Sequence, residues 1–257
     1  MNRLLKRILI FLGLIVVVIV VAFGALFGPA FMGMKPIPED FELDGMSLVQ
    51  DGFTTAWVVP TGNGQVALVD AGVDPDGAAI LEQLSRRGLG PESVVAVFLT
   101  HGHSDHTAAV PLFDNAEILA LAAEADLIAG RVAPDSPLGT VVPASPTGIE
   151  LTRALRDGEI VRIGEAEVGV YAVPGHTTGS AGYLVNRVLV LGDAGNVGDD
   201  DTVKGPPWIF STDVAQARAS LAQLGRRLQR DNVAVDVIAF AHSGPLLQGS
   251  AALLTPE

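Results

Sequence analysis

The chain has 257 residues, with 16 Lys and Arg against 29 Asp and Glu and no cysteine. A formal net charge of −13 leaves no basic surface to neutralise phosphates, which argues against nucleic-acid binding. The lack of cysteine removes disulfides and thiolate ligands, and the length allows one large domain with a substantial core.

The first predicted element is an apolar helix at the N-terminus. Residues 8–27 contain no charge and no proline, and such a helix is long enough to cross a hydrocarbon layer of about 30 Å. Arg3, Lys6 and Arg7 precede it, so the positive-inside rule predicts a cytoplasmic N-terminus and an extracytoplasmic remainder. A cleaved signal peptide is the alternative, although its apolar core would be shorter, about 7–15 residues. The sequence therefore predicts a transmembrane helix that anchors the chain in the membrane.

We predict three segments along the chain. They are a cytoplasmic stub with the membrane anchor or signal peptide (residues 1–34), a linker (35–46) and one domain (47–257). Within the domain strands alternate with helices, including predicted helices at 76–87 and 213–230, and 133–148 is an irregular loop. This alternation predicts an α/β fold with two sheets between helical layers. The domain is expected to be membrane-anchored outside the cytoplasm, or secreted if the N-terminal segment is cleaved.

All five histidines lie in three short segments that have the composition of metal-ligand loops. These segments are Thr-His-Gly-His-Ser-Asp-His at 100–106, Pro-Gly-His-Thr-Thr-Gly-Ser at 174–180 and Ala-His-Ser-Gly at 241–244. Imidazole and carboxylate together are ligands for Zn, Fe or Mn. The clustering therefore predicts a metal site.

The densest segment follows a predicted buried strand at 94–99. His101 and His103 are two residues apart, so an extended backbone directs them to the same side. A helix is predicted from Ser104 to 113. Because the chain turns into this helix at the Asp-His pair, residues 105 and 106, that pair can be directed at a second metal. Helix capping alone would need one Ser or Asp and no histidine.

The later segments also follow predicted strands. A hairpin at 160–173 around Gly164 precedes His176, and a hairpin at 183–191 precedes Asp193. A strand at 235–240 precedes His242. Asp193 has an alternative role, because Gly-Asp-Ala-Gly is also favourable turn chemistry.

These motifs together resemble the metallo-β-lactamase superfamily. The segment 101–106 matches its H-x-H-x-D-H signature, and similar motifs occur in order at 69–72, 174–180, 191–194 and 241–245. The resemblance implies a four-layer αβ/βα sandwich with a dinuclear site, two Zn²⁺ with Fe or Mn as alternatives. It assigns one ion to His101, His103 and His176, a second ion to Asp105, His106 and His242, and the bridging position to Asp193. Asp70 is expected to orient ligand loops by hydrogen bonding without touching metal.

The function implied is hydrolysis of a small molecule. A bridging hydroxide would attack an ester, lactone, thioester or amide, with Asp105 relaying the proton as the catalytic residue. Lys204 is the only lysine after Lys35, which argues mildly against anionic glutathione substrates. The alternatives are a mononuclear-iron persulfide dioxygenase-like oxidoreductase, a β-lactamase, and a non-catalytic metal-binding membrane module. The resemblance disfavours the β-lactamase, since those enzymes lack a carboxylate at the position of Asp193.

Overall fold

A computed structural model describes residues 3–257, without the side chains of residues 3–5, 8, 9, 19, 22, 23, 25–27 and 29–31. The chain divides into two compact units, Met1–Gly33 and Met34–Glu257, which we call the N-terminal unit and the main unit.

The N-terminal unit contains helix α1, Arg3–Phe31. A membrane-crossing helix was predicted here, and part of that prediction lies outside the described residues. Across the side chains that the structure does describe, no helix combines the length and the apolarity needed to cross a bilayer. The predicted anchor therefore receives no support from the structure.

The first sheet of the main unit has seven strands in sequence order. Its strands are β1 (Phe41–Leu43), β2 (Met46–Asp51), β3 (Thr54–Gly62), β4 (Gln65–Val69), β5 (Val94–Phe98), β6 (Glu117–Leu121) and β7 (Arg153–Leu155). The first four strands pair antiparallel, and β4 to β7 pair parallel. The parallel half needs crossovers, which is why the helices of this part of the chain lie between these strands.

The second sheet has the order β14-β11-β10-β9-β8. Its strands are β8 (Ile160–Ile163), β9 (Ala166–Ala172), β10 (Ala181–Val185), β11 (Val188–Val190) and β14 (Val237–Ala239), while β12 (Asn196–Val197) and β13 (Val203–Lys204) form a separate pair. Both predicted hairpins are confirmed. Asn186 and Arg187 each have positive φ in the β10–β11 turn, as a tight two-residue hairpin connection requires.

Three apolar cores arrange these elements as four layers. The central core lies between the sheets and includes Trp57 of β3 and Tyr183 of β10. A second core packs α2 (Ala78–Arg86) on the other face of the first sheet. A third packs α5 (Val214–Arg230) on the second sheet. Each sheet buries both faces, so the αβ/βα sandwich predicted from the sequence is observed.

Two stretches differ from the sequence interpretation. Residues 35–46, interpreted as a linker, belong to the main unit, because β1 pairs with β2 and Phe41 packs edge-on against Trp57. The helix predicted from Ser104 to 113 ends early, as α3 (Ser104–Thr107). The amides of Ala108 and Ala109 bond to the carbonyls of Gly72 and Ala71 instead of continuing the helix.

Candidate metal centre

Strand β5 and the loop after it place the first four predicted ligands. The loop is held from both sheets, since Leu99 N–H donates to Leu119 O at 2.8 Å and Ala181 N–H donates to Thr100 O at 2.8 Å. Helix α3 then begins at Ser104, and its first turn carries the Asp-His pair. Ligands on a short loop clamped at both ends are therefore presented in a fixed geometry.

All seven residues predicted as ligands lie together. The three-histidine half-site comprises His101, His103, His176 and Asp193, and the aspartate half-site comprises Asp105, His106, His242 and Asp193. Within each group, one ligand atom per residue lies within 4.8 Å of all the others. The ligands follow β5, β9, β11 and β14, so the centre is built at the ends of strands from both sheets.

Asp193 lies between the two half-sites. Its Oδ2 is 3.5 Å from His176 Nε2 and 3.0 Å from His242 Nε2, and its Oδ1 is 3.3 Å from His106 Nε2. One carboxylate thus reaches histidines of both groups. This position suits a bridging ligand. A residue that only formed a turn would not need to contact histidines of both groups.

The ring orientation of His101 and His106 is set by oxygen atoms behind them. His106 Nδ1 lies 2.8 Å from Asp70 Oδ2, and Thr100 Oγ1 lies 3.1 Å from His101 Nδ1. The Thr100 hydroxyl donates to Asp70 at 2.8 Å, so it accepts from His101. Both histidines therefore carry a proton on Nδ1 and direct Nε2 into the centre.

His176 and His242 are oriented in the same way. The Ser211 hydroxyl donates to Pro207 O at 2.7 Å and so accepts from His176 Nδ1, 3.1 Å away. His242 Nδ1 donates to Phe53 O at 2.9 Å, and the Phe53 ring stacks on the imidazole. Their Nε2 atoms face the centre, as metal-ligating histidines do when the other ring nitrogen is held. His103 differs, since its Nδ1 faces His176 Nε2 at 3.0 Å.

The imidazoles of the three-histidine half-site are held neutral. Burial, together with the neighbouring imidazoles, lowers the pKa of His101 well below its usual value. Burial lowers the pKa of His103 and brings that of His176 to about 3, against the opposing effect of Asp193. Neutral imidazoles have a lone pair available for a metal ion at physiological pH.

The aspartate half-site has the opposite electrostatics. Burial lowers the pKa of His242, but Asp193 outweighs it and raises that pKa to about 9. Burial also lowers the pKa of His106, but the charges of Asp193, Asp105 and Asp70 outweigh burial and raise that pKa well above its usual value. Burial would raise the pKa of Asp193, yet His242 and His106 hold it well below its usual value. Cationic charge is strongly favoured in this half-site.

The residues present fit a pair of divalent ions. His101 Nε2 is buried and makes no hydrogen bond within the described part of the chain, and the buried His106 Nε2 and Asp193 Oδ1 lie 3.3 Å apart with no other hydrogen-bond partner there. Native proteins satisfy buried polar atoms, so atoms of this kind aimed into one centre indicate a missing partner. Four imidazole nitrogens turned inward, with carboxylates between them, are a donor set typical of zinc, iron or manganese.

Several residues that support the ligands were not singled out in the sequence. Ser211 and Thr100 orient histidines. Glu124 is buried beside the two loops that carry His101, His103 and His176. Burial raises the pKa of Glu124, while hydrogen bonds from Gly102, Thr177 and Gly179 act against that shift. Asp70 does have the orienting position expected of it, through Thr100 and His106.

Comparison with known families identifies the class of protein. Residues 49–242 match the profile of the metallo-beta-lactamase superfamily. The match covers most of the chain and includes every residue of both half-sites. The chain belongs to the metallo-β-lactamase superfamily.

Two of its curated relatives are hydroxyacylglutathione hydrolases. The one from Citrobacter koseri is 28% identical over 152 residues, 59% of this chain and 50% of the relative. The one from Fuscovulum blasticum is 31% identical over 166 residues, 63% of this chain and 53% of the relative. The chain thus spans about half the length of the curated relatives it matches.

Solved structures agree on the fold. A B3 metallo-β-lactamase with an active-site glutamic acid aligns with a TM-score of 0.64 at 21% identity, covering 88% of both chains. The metallo-β-lactamase MIM-1 from Novosphingobium pentaromativorans aligns with a TM-score of 0.63 at 20% identity, covering 86% of both chains. Similarity at this level of identity concerns the architecture.

Proposed function

We propose that this protein is a metal-dependent hydrolase that cleaves a small ester, lactone, thioester or amide. It would hold two divalent ions, with zinc as the first candidate. The observation that carries this proposal is the position of Asp193 between two groups of inward-facing ligand atoms, of which His101 Nε2, His106 Nε2 and Asp193 Oδ1 lack a full set of protein partners. A structural cluster of histidines would have satisfied those atoms with protein partners. Such an arrangement suits a centre that binds two ions at once.

The residues have distinct tasks in this mechanism. When bound, a pair of divalent ions supplies a water whose pKa falls toward neutrality and a Lewis acid for the substrate oxygen. Asp105 Oδ2 lies 3.4 Å from His242 Nε2, and its side chain is 21% exposed at the edge of the centre. Asp105 can therefore take the proton that the attacking water loses and transfer it toward the leaving group. Asp193 keeps the two half-sites at a fixed separation.

Among acyl substrates, the relatives favour thioesters. Both relatives described above are named for hydrolysis of acylated glutathione, which is a thioester. The shortage of lysines argues for a thioester whose thiol part is less anionic than glutathione. The β-lactamase structures share the architecture at 20–21% identity and carry no argument for β-lactam substrates.

The test is metal analysis of the full chain followed by a substrate panel. We expect close to two equivalents of zinc and hydrolysis of a thioester or ester in preference to a β-lactam or a phosphodiester. Glu82→Gln is a suitable control, because Glu82 lies on the exposed side of α2 in an ion pair with Arg86. This variant should match the unmodified chain in metal content and in turnover of each substrate. A chain that binds no ion even after reconstitution would refute the proposal. One equivalent of iron with oxygen-dependent turnover of a persulfide would favour the dioxygenase alternative.

Placement outside the cytoplasm is a separate proposal that rests on the sequence. Arg3, Lys6 and Arg7 precede 20 uncharged residues, 8–27, as in segments that are exported N-terminus-in. A reporter that is active only outside the cytoplasm, fused after Glu257, is expected to be active. Replacing the three basic residues by Ala should reduce that activity. Reporter activity confined to the cytoplasm would contradict the proposal and leave the metal centre unaffected.

A further inference from the structure

Glu124 is a buried acidic residue outside both half-sites. It is 1% exposed and lies where a 3-10 turn, Ala122–Glu124, runs into α4 (Ala125–Ile128). Among the described residues, no Lys, Arg or His forms an ion pair with it. A buried carboxylate without a cation needs several hydrogen-bond donors, so its partners indicate what it is for.

Those partners come from the two loops that carry the three-histidine half-site. Glu124 Oε1 accepts from Gly102 N–H at 2.9 Å, and Gly102 lies between His101 and His103. Glu124 Oε2 accepts from Thr177 Oγ1 at 3.0 Å, and Thr177 directly follows His176. The two loops are 73 residues apart in sequence, as the His103–His176 contact shows. One carboxylate therefore connects all three histidines of that half-site.

The loop after His176 makes further contacts with the same carboxylate. The backbone amide of Gly179 also donates to Glu124. Ser180 Oγ accepts from Thr177 N–H at 3.0 Å and contacts Thr177 Oγ1 at 2.7 Å. Because the Thr177 hydroxyl donates its proton to Glu124, its oxygen can accept a hydrogen bond from the Ser180 hydroxyl. This chain of donors ends at the carboxylate and holds the loop rigid.

Two glycines allow the close approach of these loops. A methyl group on Gly102 would lie 2.7 Å from the backbone nitrogen of Ile128 in α4. A methyl group on Gly179 would overlap the Glu124 carboxylate. Both loops press on the same short segment, 122–128, and only glycine leaves room for it. The fold thus brings the Glu124 segment against both histidine loops.

We propose that Glu124 is a positioning residue that sets the spacing of His101, His103 and His176, and with it the affinity of the three-histidine half-site for its ion. The proposal rests on the dinuclear centre proposed above. The aspartate half-site is independent of Glu124, since its His106 is held by Asp70 instead. Loss of Glu124 should therefore affect one ion and spare the other.

Glu124→Ala and Glu124→Gln in the full chain test this, with zinc affinities measured by chelator competition. Glu124→Ala is expected to weaken one of the two ions by about 10–100-fold and to leave the other unchanged. Glu124→Gln keeps the size and one acceptor but places an amide N–H₂ near a donor, so it should fall between wild type and Glu124→Ala. Imidazole ¹⁵N resonances of the half-occupied protein identify the empty half-site, which should be the three-histidine one.

Asp51→Asn is the matched control. Asp51 is also a buried carboxylate, 7% exposed, and accepts from the amides of Val73 and Asp74 at 2.7 and 2.8 Å. It belongs to neither half-site, so both affinities should remain as in wild type. A change in Asp51→Asn equal to that in Glu124→Ala would mean that any buried carboxylate has this effect, and would overturn the proposal.

The remaining outcomes separate this inference from the proposed function. Two zinc ions bound to wild type, with Glu124 variants of unchanged affinity or equal loss at both half-sites, would overturn the positioning role alone. A wild-type chain that binds no ion would overturn the role and the proposed function together. If Glu124→Ala fails to fold, the volume-conserving Glu124→Gln decides, because its unfolding can be monitored beside its metal affinity.

Discussion

The two half-sites share Asp193 but differ in charge. The three-histidine half-site otherwise contains only imidazoles, and burial keeps their pKa values low. The aspartate half-site adds Asp105, and its two histidines have raised pKa values. An ion can enter the first without displacing protons, whereas in the second it replaces protons that the carboxylates hold on His106 and His242. The proposed dinuclear centre would thus combine a half-site whose affinity is nearly independent of pH in the ordinary range with a half-site that is sensitive to pH.

The residues behind the ligands also differ between the two half-sites. Asp70 accepts from Thr100 and contacts His106, and so fixes the aspartate half-site from behind. Glu124 has the equivalent place behind the three-histidine half-site. Glu124 therefore supports one half-site, whereas Asp70 contacts His106 directly and reaches His101 through the Thr100 hydroxyl. The comparison can be tested by removing the two carboxylates separately.

Removal of the shared ligand should have the largest effect. Asp193→Ala is expected to weaken both ions and to lower hydrolysis by more than about 100-fold, because it deletes a direct ligand and not an outer partner. The fold should persist, since Asp193 lies in the loop after β11. Metal content, turnover and thermal unfolding are the measurements.

Asp200→Ala is the control for Asp193, because Asp200 is an exposed turn aspartate that accepts from Thr202 at 2.6 Å. If Asp193→Ala and Asp200→Ala lowered stability alike and left metal content and turnover unchanged, Asp193 would be a turn residue.

Acidification should empty one half-site before the other. With a His242 pKa of about 9, zinc affinity at the aspartate half-site should fall by up to about tenfold per pH unit per proton from pH 9 downward. With a His176 pKa of about 3, the three-histidine half-site should hold its affinity over the same range. Zinc titrations at pH 6, 7.5 and 9 measure this. Parallel loss of both ions would break the comparison.

The ion-free chain provides the complementary measurement. A raised histidine pKa contributes stability that is complete below the unfolded value of about 6.5 and is lost as the pH rises through the folded value of about 9. The free energy of unfolding without metal should therefore decrease between pH 6.5 and 9. His242→Gln should reduce that decrease.

Asp70→Asn should give a smaller effect, most of it at the aspartate half-site. Asp70 has a φ of 61°, a conformation that Asn tolerates, so the loop is expected to fold. The amide cannot accept from both Thr100 and His106 as the carboxylate does, so zinc affinity should fall by about 10-fold at the aspartate half-site. The three-histidine half-site should lose less, because Asp70 reaches His101 only through Thr100. Loss confined to the three-histidine half-site would reverse the assignment of the two buried carboxylates.

Much of the fold, and the clustering of the seven candidate ligands, could be predicted from the sequence. Buried strands that end in His or Asp are local signals, and the alternation of strands and helices specified the layers. The H-x-H-x-D-H segment concentrates three histidines within six residues, which local structure alone does not explain. The sequence also indicated that Asp70 orients the ligand loops by hydrogen bonding, but not that its partner is His106.

The outer partners of the histidines were beyond sequence reasoning. Glu124 occurs in Ala-Ala-Glu-Ala-Asp, which is ordinary helix composition, and its partner Thr177 is 53 residues away. Ser211 supports His176 through one hydroxyl in a loop. Residues 35–46, interpreted as a linker, are part of the main unit, where Phe41 packs against Trp57. These are tertiary contacts without a local pattern.

The origin of the ligands in both sheets has a consequence for the motions of the protein. His101 and His103 follow β5 of the first sheet, while Asp193 and His242 follow β11 and β14 of the second. The proposed ions would cross-link one rim of the sandwich, and their binding free energy would add to the work of opening it. Amide hydrogens at the ends of these strands should exchange with solvent faster once a chelator has removed the ions. Those of the β2–β3 pairing, which carries no ligand, should keep their protection.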